Sequence, residues 1–174
     1  IGEFTFNVDC EKNFKIIGSK ADYRDDIKEV TTTKVAGEQQ IQDLILTPFI
    51  IKNEIVINPI FFDFDKSKIR DDAAYELENI VTIMNNHPKM IIKIEAHTDS
   101  RGRDAYNEKL SDRRAKSTRD YIISRGIAAE RLESAIGYGE KQLLNECSNG
   151  VKCSEAKHQE NRRSKFIITN NYRE

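Results

Sequence analysis

Met90-Ile91-Ile92-Lys93-Ile94-Glu95-Ala96 runs directly into His97-Thr98-Asp99-Ser100-Arg101-Gly102, and this stretch decides the fold. A short apolar run rich in isoleucine, ending in a cluster of turn formers, reads as a buried strand that stops at a polar loop. Downstream, Tyr106, Leu110, Thr118, Tyr121 and Ile122 mark the inner face of a long helix, and Gly126 stands where a helix commonly ends at C′. Upstream, Leu77, Ile80, Val81 and Met84 recur at helical spacing, with Asp71-Asp72 favouring the positive helix end and Pro88 beyond the far end. Ile55-Val56-Ile57 and Ile60-Phe61-Phe62 are β-type runs punctuated by Asn58-Pro59, giving a strand into Phe62. Leu132 to Tyr138 and Phe166 to Thr169 complete the strands. Strands alternating with helices specify the α/β class, an α+β sandwich around one sheet.

The 174 residues suffice for one domain with its own core plus an additional segment. With 28 Lys+Arg against 29 Asp+Glu, the net charge of −1 provides no basic field for nucleic acid. The apolar stretches Leu44 to Ile51 and Ile55 to Phe62 are interrupted and fall short of the roughly 18 residues a spanning helix needs. The chain begins without Met and without a charged-then-apolar leader, so it reads as a piece of a longer protein. Cys147 and Cys153 flank Ser148-Asn149-Gly150, which fits a small disulfide-closed loop worth about 2 kcal/mol and stable in an oxidising compartment. Cys10 stands alone. Too few thiols are present for a four-cysteine zinc site, and His158 lacks the paired spacing of a mixed one, so no metal or other cofactor is expected.

The chain divides by composition into three parts. Residues 1–24 hold two short strands, Gly2 to Val8 and Asn13 to Ile17. Two strands are not stable alone, so they read as the remnant of a β-rich domain. Residues 25–54 are polar, without a clear period, and read as a linker or irregular segment. Residues 55–174 form the α/β domain.

Candidate chemistry gathers at strand-to-helix junctions: Asp63-Phe64-Asp65, His97-Thr98-Asp99, and a helix face carrying Asn107, Leu110 and Arg114. Arg114 shares a stripe with Leu110 and Thr118, so it points toward packed structure and requires an anion. A structural bridge to Asp63, Asp65 or Asp99 is one way to supply it; a bound ligand is the other. Asp63, Asp65, His97 and Asp99 also form a conceivable metal-hydrolase set. Their spacing is generic, no nucleophile-elbow, HExxH or phosphate-loop motif accompanies them, and Arg114 would repel a cation.

Phe62-Asp63-Phe64-Asp65, His97-Thr98-Asp99-Ser100-Arg101-Gly102, Tyr106-Asn107, Leu110-Ser111-Asp112-Arg113-Arg114-Ala115, Gly137-Tyr138-Gly139-Glu140 and Asn161-Arg162-Arg163 together resemble the OmpA C-terminal, peptidoglycan-associated lipoprotein and MotB family. The resemblance implies a four-stranded mixed sheet with helices on one face. It also implies noncovalent, non-enzymatic binding of peptidoglycan through the meso-diaminopimelate of its peptide stem, on the periplasmic side of a Gram-negative outer membrane. In that family the residues at the positions of Asp99 and Arg114 grip the free end of the diamino acid. A carboxylate facing its ammonium and a guanidinium forking onto its carboxylate complement that zwitterion. Asn107 and Leu110 match positions beside the pocket, Thr98, Phe64 and Asp65 match its rim, and Arg162 matches the closing motif. Asn161 and Arg163 could equally hold the loop to the sheet. Ala96 replaces the usual Gly before the turn, and some family members carry a disulfide loop where Cys147 and Cys153 stand. A protein-interaction module on the same fold is the alternative. Residues 1–24 resemble the end of a carboxypeptidase-regulatory-like β-sandwich.

Overall fold

The computed structural model describes residues 2–63 and 66–172. Its chain forms two compact units, Ile1–Phe49 and Ile50–Glu174.

In the first unit, β1 (Asn13–Gly18) and β3 (Asp26–Thr31) form an antiparallel pair, Asn13 opposite Thr31 and Gly18 opposite Asp26. Between them β2 (Tyr23–Arg24) pairs with β4 (Thr47–Pro48). β3 falls within residues 25–54, the stretch expected as a linker or irregular segment. Only Asp26 and Val30 of β3 are even half-buried, so the strand carries almost no apolar alternation, and its partner fixes it instead. Gly2 to Val8, expected as a strand, joins no ladder, and Phe4, Phe6 and Val8 are exposed. Alternation alone does not hold a strand that has no neighbour to bond.

The second unit is built on a sheet with the order β5-β6-β9-β7-β8. Its strands are β5 (Ile50–Ile51), β6 (Glu54–Ile55), β7 (Ile92–Ala96), β8 (Leu132–Gly137) and β9 (Ser164–Ile168). β7 and β8 are parallel and the other pairs antiparallel, so the sheet is mixed as expected, but it has five strands rather than four. The extra strand comes from a tight hairpin at Lys52-Asn53, where Lys52 adopts φ 57°. The predicted strand into Phe62 does not form. Asn58 instead donates its backbone N–H and its side-chain amide to the Glu76 carboxylate (3.1 and 2.7 Å), which ties this segment to a helix.

That helix is α1 (Asp71–Asn86), which buries Leu77, Ile80, Ile83 and Met84. The second, α2 (Asp104–Ser124), buries Leu110, Ala115, Thr118 and Ile122, and Gly126 follows it at φ 95°. A third, α3 (Glu155–Asn161), was not anticipated, although Ser154 caps it by accepting from Lys157 N–H. Ile92 and Ile94 of β7 lie opposite Ile168 and Phe166 of β9, and all four are buried on the same face. Arg131 donates to the carbonyls of Met84, His87 and Met90 at 2.7–3.0 Å, tying the end of α1 to the segment that leads into β7.

α2 lies against β7 and β8 so closely that Gly137 has no room for a side chain. A Cβ there would fall 2.0 Å from Asp112 N and 2.3 Å from Ser111 C, both backbone atoms. Gly137→Ala must therefore push α2 off the sheet. We expect a loss of about 1–3 kcal/mol, read from urea unfolding, because backbone cannot move aside as a flexible side chain would.

Candidate functional site

The turn after β7 is tied down on every side. His97 N–H donates to Arg163 O and Thr98 N–H to Gly139 O, each at 2.9 Å, which carries sheet-like bonding past the strand end. The buried Asn107 amide then donates to the carbonyls of Asp99 (3.3 Å) and Arg101 (3.2 Å) and to the Glu140 carboxylate (2.6 Å). One helical side chain thus joins the Asp99 turn, α2 and the loop after β8. Ser100 Oγ, also buried, donates to Cys147 O at 2.6 Å. Cys147 and Cys153 form the expected disulfide, so a covalently closed loop backs the turn, while Cys10 is free and exposed.

A cleft of about 530 Å³ opens at this end of the sheet, lined by Phe62, His97, Thr98, Asp99, Arg101, Tyr106, Asn107, Leu110, Arg114, Glu155 and Arg162, among others. Its two principal charges have opposite surroundings. The Asp99 carboxylate accepts from Arg101 Nη2 (2.7 Å) and Arg162 Nη1 (2.5 Å), and from the backbone N–H of Arg101 (3.0 Å). Burial would raise its pKa, but the hydrogen bonds from Arg101 and Arg162 prevail and hold it below the ordinary carboxylate value. Glu155 in turn accepts from Arg101 (2.9 Å) and Arg162 (2.6 Å), which closes a four-residue ring.

Arg114 is only 9% exposed. Among the described residues its acceptors are main-chain carbonyls, those of Lys66 (3.2 Å) and Asp63 (3.4 Å), and its guanidinium lies 4.9 Å from the Phe62 ring centre. Burial lowers its pKa, yet an arginine remains a cation. Of the carboxylate bridges considered for it, those to Asp63 and Asp99 are not made, since Asp63 pairs with Lys66 and Arg70, and Asp99 with Arg101 and Arg162; the third candidate, Asp65, lies outside the described residues.

The structure brings Asp99, Arg114, Thr98, Asn107, Leu110 and Arg162 to one cleft. Phe64 and Asp65 lie outside the described residues. Asn161 and Arg163 hold the loop: Asn161 accepts from Leu144 N–H (2.7 Å), and Arg163 donates to Gln142 O (2.9 Å). Tyr106, expected on the inner face of α2, is 41% exposed at the cleft. Arg101 and Glu155 were not singled out from sequence. Glu155 approaches only because α3 returns to the turn, which no local pattern reveals. Asp63 and Asp99 each face cations, which disfavours a metal between them.

His97 is buried, stacked on Tyr138 at 5.6 Å, and neither ring nitrogen has a hydrogen-bond partner among the described residues. Burial, aided by Arg163, lowers its pKa to about 4. The unfolded chain therefore takes up a proton near pH 6.5 that the folded chain refuses until about 4. His97 thus gives full stability above pH 6.5, and this contribution drains away as pH falls to about 4. Urea midpoints measured across this window should fall on acidification, and His97→Gln should show a shallower fall.

The OmpA family matches residues 61–157, more than half of the chain. Outer membrane porin F of Pseudomonas aeruginosa is 43% identical over 82 residues, 47% of this chain and 23% of the porin. The peptidoglycan-associated lipoprotein of Rhizobium meliloti is 39% identical over 94 residues, 54% of this chain and 52% of that protein. The chain thus spans about a quarter to a half of these relatives. The crystal structure of the peptidoglycan-associated lipoprotein from Burkholderia pseudomallei superposes with a TM-score of 0.55 at 25% identity, covering 68% of this chain and 91% of that one. With two thirds of the fold shared and the match running from the segment under Arg114 through the turn of Asp99 into α3, the chain belongs to the OmpA family.

Proposed function

We propose that the cleft binds peptidoglycan noncovalently through the free end of meso-diaminopimelate in the peptide stem. The domain would thereby anchor an envelope protein to the cell wall, on the periplasmic side of a Gram-negative outer membrane. The observation that carries this reading is Arg114. A buried guanidinium that faces a cleft, with only carbonyl acceptors among the described residues, has donors to spare. A ligand carboxylate supplies acceptors for them and a planar partner for the fork. Asp99 lines the same cleft and supplies the opposite charge for the ammonium of the zwitterion. Among the described residues its Oδ1 accepts the Arg101 backbone N–H, and its Oδ2 is held by the Arg101 and Arg162 side chains. Thr98, Leu110 and Arg162 shape the walls, and Asn107 holds the Asp99 turn in place rather than offering its amide to a ligand. The names of the relatives, one associated with peptidoglycan and one an outer membrane porin, agree with this reading.

We read the function as adhesion rather than catalysis, a reading supported by the arginines that hold both carboxylates of the cleft among the described residues. Sedimentation of the protein with purified sacculi tests it. Asp99→Ala and Arg114→Ala should each weaken binding on the order of 30-fold or more, the effect of truncating one partner of a buried charge pair. Free meso-diaminopimelate should compete with the wild type. Full binding by both variants would remove the proposed pocket. Chelation should leave binding unchanged and no muropeptides should be released; loss of binding on chelation, or release of fragments, would point to a metal hydrolase.

A further inference from the structure

The two halves of the zwitterion site are not equally available in the free protein. On the Arg114 side, the guanidinium has only carbonyl acceptors among the described residues. On the Asp99 side, Oδ2 already receives Arg101 Nε (3.3 Å), Arg101 Nη2 (2.7 Å) and Arg162 Nη1 (2.5 Å). The Asp99 side chain is 8% exposed, whereas that of Arg101 is 52% exposed and that of Arg162 is 24% exposed. Arg101 is therefore the outer of the two cations and lies between the carboxylate and solvent. It also has a second acceptor ready, because Nη1 donates to Glu155, whose side chain is 66% exposed. Arg162 has no such freedom, being held by Gln159 as well as by Glu155 and Asp99.

From this asymmetry, and resting on the proposed stem recognition, we infer that Arg101 is a built-in competitor for Asp99. The ligand carboxylate docks first on Arg114, and the ligand ammonium then takes Asp99 by displacing Arg101, which swings onto Glu155. The exchange replaces one cation on Asp99 by another, so no charge is left buried and alone, and the Glu155 contact survives it. Two consequences follow for selectivity. A solute carrying only an ammonium must evict Arg101 without the Arg114 contact, and it binds poorly. A solute carrying only a carboxylate gains Arg114 and leaves Arg101 in place. The full zwitterion alone obtains both, so Arg101 makes the site discriminate against lone amines at some cost in affinity.

The test compares two ligands on two proteins by calorimetry. One ligand is the tripeptide L-Ala–γ-D-Glu–meso-diaminopimelate; the other carries 2-aminopimelate in the last position, which keeps the distal carboxylate and lacks the distal ammonium. The proteins are the wild type and Arg101→Gln, a change at a half-exposed side chain that leaves the core untouched. Arg101→Gln should bind the diaminopimelate peptide tighter, by on the order of two- to fivefold, the range for a partly exposed ion pair. The aminopimelate peptide should bind no tighter. In the wild type, the Arg101 Nε–Hε resonance should move on adding the first peptide and stay in place with the second. Equal affinity of both proteins for the diaminopimelate peptide, or weaker binding of both peptides by the variant, would overturn the competition. Failure of the wild type and the variant to bind either peptide would instead overturn the stem recognition itself, and the competition with it.

Discussion

The close approach of α2 to β8 at Gly137 governs the rest of this domain. Only a residue without a side chain lets Ser111 and Asp112 come down onto the sheet, and once they do, Ser111 Oγ can accept from Gly139 N–H at 2.8 Å. That bond fixes the loop after β8, whose Gly139 carbonyl holds Thr98. Asn107, one turn earlier on the same helix, meets the Asp99 turn. Arg114, one turn later, is carried over Phe62. A single steric allowance therefore sets the separation of the two charges that define the cleft. Neither charge sits on a loop free to wander, which suits the two-ended recognition proposed above.

The cleft is a study in unequal compensation. Among the described residues four arginines and two carboxylates line it, and the pairing is uneven: Asp99, Glu155, Arg101 and Arg162 close on one another, while the acceptors of Arg114 and Arg163 are main-chain carbonyls. Burial is what makes this matter. An exposed arginine without a carboxylate is unremarked by its solvent, but one packed among Leu110 and Phe62 keeps an electrostatic demand that water meets poorly.

Much of this was legible in the sequence, and for identifiable reasons. Leu77, Ile80, Val81 and Met84 are all buried, because a helix packed on one side must repeat its apolar positions at its own period. Ile92, Ile94 and Phe166 were plain as core strands for a similar reason. The short pairs β5 and β6 were not, since two residues cannot display a period, and the turn between them lacks the usual glycine. Ile60 to Phe62 misled through composition: its residues favour strands, yet Asn58 is tied to Glu76, and Ile60 is buried without a ladder. At the site, Asp99 and Arg114 were visible as a motif, but the encirclement of Asp99 by Arg101, Arg162 and Glu155 was not. It depends on α3, a seven-residue helix with a sequence that reads as polar loop.

The ladder lengths of the sheet have a mechanical meaning under the proposed anchoring role. β7, which leads into the Asp99 turn, is bonded on both sides, with five residue pairs to β8 and five to β9. The chain enters this unit through β5 and β6, each joined to its neighbour by only two pairs. A pull between the ligand and the entering chain therefore loads the central strand along many bonds at once and the entry strands a few at a time. With the fewest ladder pairs, the entry hairpin is the part such a pull would open first, ahead of the strands that carry the cleft, so the domain would act as a fuse wired in series with its clamp.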